Sequence, residues 1–134
     1  MSPEQLLGEL ESNGRIVLCD MEAGLGTVAR VQPGQIDVLI VVAEPSAKAI
    51  DVARRAASMG ASRARVIVIA NRIREPADLE AIRAALPEHE LIVVPEDPVI
   101  ARADREGLAP VDLDPDSPGV KAIVELASEL ATPA

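Results

Sequence analysis

Polar residues that could hold a small ligand follow four short apolar runs of the sequence. If the runs form parallel strands, their carboxyl ends meet at one edge of the sheet, where ligands bind in folds of this kind. The segments after the runs supply carboxylate, amide and guanidinium groups together with turn-forming glycine and proline. The candidate binding residues are Asp20, Glu22, Gly24, Asn71, Arg72, Pro95 and Asp97. We assign no catalytic residue among them.

Metal binding is not expected. Cys19 is the only cysteine, and His89 lies between Glu88 and Glu90 with no second nitrogen or sulfur ligand nearby. We therefore do not expect a typical structural zinc site. Residues 112–116 are similar to a calcium loop, but Ser117 stands where the sharp turn needs glycine, so we predict no metal at this position either.

The four apolar runs span residues 16–19, 38–43, 66–70 and 91–94. Continuous apolar character rich in β-branched residues is typical of parallel strands that are covered on both faces. The segments between them have helical spacing, with predicted helices over residues 3–12, 46–59, 76–86 and 118–131 and a short one from Pro98. The sequence therefore predicts one α/β domain over residues 1–134, with three layers and about four parallel strands flanked by helices.

Composition excludes several classes of partner. The chain has 13 Lys and Arg against 22 Asp and Glu, a net charge of -9, and it contains no aromatic residue. This charge would repel a nucleic-acid backbone, and base stacking on aromatic rings is impossible. No apolar stretch reaches the roughly 20 residues that a membrane-spanning helix needs, so we expect a cytoplasmic protein without membrane contact. A core of small aliphatic residues favours a flat surface shared with a protein partner over a deep pocket.

The order of these segments resembles the P-loop ATPases of the CooC and MinD type, which have a deviant phosphate-binding lysine motif. The resemblance covers about residues 15–131 and implies that Asp20 supports magnesium, that Asn71 and Arg72 stand at the adenine-recognition position, and that the segment from Pro95 closes over the base. The matching segments are Asp20-Met21-Glu22-Ala23-Gly24, residues 36–42, Pro45-Ser46, Asn71-Arg72, Pro95-Glu96-Asp97, Ala103-Asp104, Gly107 and Ala109-Pro110.

The chain departs from this family at its defining element. It contains no Gly-Lys pair, and Lys48 and Lys121 are its only lysines. Without a lysine and backbone amides around the phosphates, the transferred phosphoryl group has no electrostatic stabilisation, so this chain alone should not hydrolyse ATP. The resemblance also implies that the missing phosphate-loop strand lies between the strand before Asp20 and the strand at residues 38–43. Those two strands should then pair directly, or a partner should fill the gap.

Three functions remain open at this stage. The first is a non-catalytic interaction or regulatory subunit that binds itself or another protein, in metallocentre maturation or protein positioning, without a cofactor. The second is a subunit of a split ATPase, in which another chain supplies the phosphate loop and ATP with magnesium completes the site. The third is a nucleotide or dinucleotide binder without hydrolysis, because Gly24, Gly26 and Ala29 match the dinucleotide fingerprint and Glu44 stands where a ribose-binding acid would lie.

Overall fold

Three parallel strands form the centre of the structure, a computed structural model that describes residues 16–21 and 25–131. The strands are β1 (Val38–Ala43), β2 (Arg65–Ile73) and β3 (Glu90–Pro95), in the spatial order β1-β2-β3. Val38 pairs with Arg65 at the start of the first ladder, and Ile67 pairs with Glu90 at the start of the second. The predicted α/β fold with a parallel sheet is confirmed.

Helices connect and follow the strands. They are α1 (Leu25–Arg30), α2 (Ala47–Gly60), α3 (Pro76–Ala85), α4 (Pro98–Glu106), α5 (Pro110–Leu113) and α6 (Pro118–Ala131). Local sequence explains their ends. The Ser46 hydroxyl accepts a hydrogen bond from the Ala49 N–H at the start of α2, and proline occupies the first turn of α3 and α4. Gly107 ends α4 in the left-handed conformation, which glycine adopts at little cost.

The two faces of the sheet carry different layers. One, which we call the three-helix face, packs Leu39, Val41, Val66, Val68 and Ala70 against α1, α2 and α3. The opposite face, which we call the α6 face, packs Ile67, Ile69 and Val94 against Ala122, Leu126 and Leu130 of α6. Successive right-handed crossovers in one direction place their helices on one side, so a later helix has to cover the other. The C-terminal helix α6 provides this cover over β3.

The fourth predicted strand is not formed. Residues 16–20 are all exposed and have no regular secondary structure, and Ile16 and Leu18 are 80% and 88% exposed. An apolar run becomes a strand only where a neighbouring strand offers hydrogen bonds, and among the described residues β1 pairs with β2 alone. Of the two expected arrangements, direct pairing of residues 16–19 with β1 does not occur in the described structure.

Some predictions fall outside the described residues. These are the N-terminal helix at residues 3–12 and the candidate binding residues Glu22 and Gly24. Within the described part of the chain, no helix has both the length and the apolar character needed to cross a membrane.

Candidate functional site at the carboxyl edge of the sheet

Four charged residues meet where the three strands end. The Arg72 guanidinium lies 3.8 Å from a Glu44 carboxylate oxygen and 3.4 Å from a Glu96 oxygen. Arg74 Nε donates to the other Glu96 oxygen at 2.6 Å. We call Glu44, Arg72, Arg74 and Glu96 the edge cluster. It contains two positive and two negative groups, so the positive charge of both arginines is balanced within the cluster.

A bulge in β2 places Arg72 in this cluster. The pairing of β2 with β3 passes from Asn71 opposite Val94 to Ile73 opposite Pro95, so Arg72 is an extra residue outside the ladder. Its φ of 58° lies in the left-handed region, which is uncommon for a residue with a side chain. Bulges bend the strand and redirect a side chain. Here the redirected side chain is the arginine that contacts both Glu44, which follows β1, and Glu96, which follows β3.

The starts of two helices lie beside the edge cluster and line a shallow cleft of about 220 Å³ with it. Ser46 caps α2, while Asp78 of α3 accepts hydrogen bonds from the N–H groups of Arg74 and Glu75. Backbone N–H groups at these helix starts are therefore partly satisfied by the chain's own side chains. The lining residues of the cleft are Glu44, Pro45, Ser46, Arg72, Arg74 and Asp78.

Asp97 has a different environment, because it is buried and only 7% exposed. One carboxylate oxygen accepts from the Val99 N–H at 2.9 Å and caps α4, and the other accepts from the Gly119 N–H at 2.8 Å at the start of α6. The pKa of Asp97 lies below its ordinary value, and the largest cause is the Ser117 hydroxyl. The two N–H groups lower it further by smaller amounts, whereas burial acts in the opposite direction. Asp97 thus joins two helices to the end of β3.

The other candidate residues are spread over the same edge. Asn71 is partly buried within β2, and Pro95 is the last residue of β3. Asp20 is exposed in a segment without regular structure. The structure therefore brings Arg72 together with the region of Pro95 and Asp97.

Sequence reasoning missed several members of this edge. Arg74, Asp78 and Glu96 were not selected, although each lies within five residues of a strand end. Arg74 lies two residues after Arg72, and Glu96 directly precedes Asp97, so the sequence could have indicated these two residues. No local pattern in the sequence indicates that Gly119 contacts Asp97. The two residues are 22 positions apart, and their contact depends on where α6 packs.

Metal ligands are not grouped at this edge. The described residues contain no cluster of three or more His, Cys, Asp or Glu side chains that could hold a metal ion. The edge cluster also offers acidic oxygens that already face guanidinium groups.

Comparison with known proteins identifies relatives of this fold and sequence. The chain is 32% identical over 132 residues to an uncharacterised ATP-binding protein of Methanocaldococcus jannaschii, covering 95% of this chain and 50% of that protein. It is 32% identical over 104 residues to the carbon monoxide dehydrogenase accessory protein CooC of Rhodospirillum rubrum, covering 74% of this chain and 39% of CooC. The predicted relationship to CooC is confirmed.

The fold of this CooC-like chain also matches a solved structure. The MinD cell division protein of Aquifex aeolicus superposes with a TM-score of 0.53 and 23% identity, over 80% of this chain and 47% of MinD. No protein-family model matches the chain. The chain spans half or less of the length of each of these relatives. It is thus similar to part of a CooC/MinD-like protein.

Proposed function

We propose that this CooC/MinD-like chain is a non-catalytic interaction or regulatory subunit in the cytoplasm that acts through association with itself or another protein. The observation that carries the proposal is the incomplete cover of the sheet at β1. Val42 of β1 is 57% exposed on the α6 face, and β1 pairs with β2 alone among the described residues. An apolar strand in this position is a typical docking element for another polypeptide.

The edge cluster supports the non-catalytic part of the proposal. Phosphate binding at such an edge relies on free N–H groups and uncompensated positive charge. Here Glu44 and Glu96 already neutralise Arg72 and Arg74, and the chain contains no Gly-Lys pair. The described residues of the edge therefore do not fit the phosphates of ATP.

Native mass spectrometry of the purified chain, with and without ATP and magnesium, tests this function. We expect an oligomer or a heteromeric complex without stoichiometric nucleotide, and isothermal titration with ATP and magnesium should show no binding at micromolar affinity. Adenine nucleotide bound in a homogeneous preparation would contradict the proposal. Arg72→Ala is a matched control, because it removes an edge guanidinium and should leave the oligomeric state unchanged.

A split ATPase is the second candidate, favoured by the similarity to half of an ATP-binding protein. Another chain would then supply the phosphate loop, Asp20 would support magnesium, and Asn71 and Asp97 would contact adenine. A co-purifying chain with a Gly-Lys-Ser or Gly-Lys-Thr loop, and ATP hydrolysis that requires both chains, would establish it. In that case Asn71→Ala should raise the KM for ATP of the complex.

A nucleotide or dinucleotide binder is the third. The described part of its fingerprint lies in α1, a helix of six residues, and its ribose-binding acid Glu44 faces Arg72. Titration with NAD separates this function from the others. The proposed biological setting is metallocentre maturation or protein positioning, and it rests on the resemblance to proteins of the CooC and MinD type.

A further inference from the structure

Helix α6 is attached to a small part of the fold. Among the described residues, its main contacts are with β3, whereas α2 contacts α1, β1, β2 and α3. The α6 side chains that pack on the sheet, Ala122, Leu126 and Leu130, are partly buried, and Gly119 and Val120 at the start of the helix are its buried residues. Loss of α6 would therefore leave the contacts among the other helices and strands in place.

The hydrophobic core is divided between the two faces of the sheet. The buried residues on the α6 face are Ile67, Ile69 and Val94, whereas the larger cluster on the three-helix face includes Ala57 of α2 and Ile82 of α3. Successive side chains of a strand point to opposite faces, so the sheet backbone separates the two clusters. A segment that buries little apolar surface opens at a lower free energy than the rest of a fold. Loss of α6 would expose the first cluster and leave the second one buried.

The start of α6 is held more firmly than its end. The Asp97 carboxylate accepts from the buried Gly119 N–H at 2.8 Å, and a Cβ on Gly119 would lie 2.8 Å from the Asp97 Cβ, so the two residues are closely packed. Near the other end, Arg65 contacts Glu129 at 3.2 Å, and both side chains are about half exposed. Exposed ion pairs contribute little to stability. The contact between Asp97 and Gly119 is therefore the stronger of these two attachments.

We propose that α6 is a reversible cover, which opens as one unit while the sheet and the three helices on the opposite face stay folded. In the open state the contact between Asp97 and Gly119 is broken, and Ile67 and Ile69 become accessible to water. Val42, which is already exposed, lies opposite Ile69 in the ladder, so opening joins these residues into one apolar surface. Opening costs less free energy than global unfolding, because the core of the three-helix face stays buried. This motion belongs to the chain itself and does not depend on a partner.

Native-state hydrogen exchange of the full chain, followed by NMR at low urea concentrations, tests the cover. The readouts are the backbone N–H groups in the middle of α6, such as that of Leu126, and those of the central strand β2, such as that of Val68. After correction for intrinsic rates, we expect the α6 groups to exchange at least about tenfold faster than the β2 groups, with a weaker dependence on urea. A weak dependence on urea indicates that the opening exposes little surface.

Two substitutions separate opening of α6 from global unfolding. Ile82→Val weakens the core of the three-helix face and should speed exchange of the β2 groups about fivefold, while the α6 groups change by less than about twofold. Gly119→Ala displaces α6 from Asp97 and should speed exchange of the α6 groups at least about fivefold. Gly26→Ala in α1 is the matched control and should leave the α6 groups unchanged. If Gly119→Ala does not fold, Leu126→Ala replaces it with the same expected effect on α6.

Three outcomes would overturn the inference. In the first, Ile82→Val speeds exchange of the α6 groups as much as that of the β2 groups, which would show that α6 exchanges only through global unfolding. In the second, the α6 and β2 groups depend equally on urea. In the third, neither Gly119→Ala nor Leu126→Ala changes exchange in α6, which would show that the packing of this helix does not control its opening.

Discussion

The two faces of the sheet bury similar kinds of residue but receive very different cover. On the three-helix face, Val68, Ala70 and Ile82 are completely buried between the sheet and successive helices. On the α6 face one helix lies over β3, so Ile67 is buried while Val42 of β1 is largely exposed. In the described part of the chain, the three-helix face thus contains the larger part of the buried core. Among the described residues, the part of the α6 face at Val42 therefore has less cover than the part over β3.

The ends of α6 show how that single helix is held. At its start, the Gly119 N–H donates to Asp97, and near its end Glu129 accepts from Arg65, which also contacts Glu90. The first contact is buried and the second is exposed to solvent, where ion pairs contribute little. Asp97 is therefore the more important of the two for the position of α6.

The largest expected effect is the loss of stability when a core side chain of the three-helix face is shortened, compared with the same change on the α6 face. Ile82→Ala removes a fully buried side chain of the three-helix face and should lower the free energy of unfolding by about 3 kcal/mol. Leu126→Ala on α6, a partly buried position, should cost about 1 to 2 kcal/mol. Urea denaturation of both variants measures this, and equal losses would contradict the difference between the faces.

Gly119→Ala tests how closely α6 approaches the end of β3. A Cβ at this position would lie 2.8 Å from the Asp97 Cβ and 2.9 Å from Ile100 Cδ1, so α6 or Asp97 has to move. We expect a loss of about 1 to 3 kcal/mol in unfolding free energy. Gly26→Ala in α1 is the control, because its nearest neighbour is an Arg30 side-chain atom at 3.6 Å. That variant should be neutral or slightly stabilised.

Asp97→Asn tests the charge at the same contact. An amide group would place N–H against a backbone N–H and lose a charge-assisted bond, so we expect a loss of about 1 to 2 kcal/mol at neutral pH. The folded pKa of Asp97 lies below its ordinary value of 3.8, so the folded state binds fewer protons than the unfolded state. Its contribution is therefore present above about pH 5 and is lost as the pH falls through the folded pKa.

Thermal melts between pH 3 and 7 measure this dependence. The wild type should lose more stability than Asp97→Asn as the pH falls below about 5. The exposed Asp112→Asn variant provides the comparison and should follow the wild type. Parallel pH profiles for wild type and Asp97→Asn would show that Asp97 does not hold α6 through its charge.

The smallest effects are expected for threonine substitutions at two adjacent residues of β1 whose side chains lie on opposite faces of the sheet. Val41→Thr places a hydroxyl in the core of the three-helix face and should cost about 1 to 2 kcal/mol. Val42→Thr places the same group at an exposed position and should change the free energy of unfolding by no more than about 0.5 kcal/mol. Chemical denaturation of the pair measures the difference. A larger loss at Val42 would show that this part of the α6 face is covered in solution.

Much of the fold could be predicted because its signals are local. Strand β1 and helix α6 have the predicted bounds, since a run of β-branched residues and a Pro-Gly helix start are short-range patterns. Strand β2 extends three residues beyond the predicted end, because polar Asn71 and Arg72 still pair through the backbone or form the bulge. The candidate site was predicted to lie at the carboxyl edge, and Arg72 and Asp97 do lie there.

The sequence by itself determined the apolar runs, the helix starts and the acidic balance, because composition, side-chain period and capping act between near neighbours. The tertiary structure alone decided which run became a strand and which stayed unpaired, because a strand exists only with a neighbour to bond. It also decided that Arg72 faces Glu44 and Glu96 and that Asp97 binds Gly119. These contacts join residues more than 20 positions apart, and only packing of the three layers brings them together.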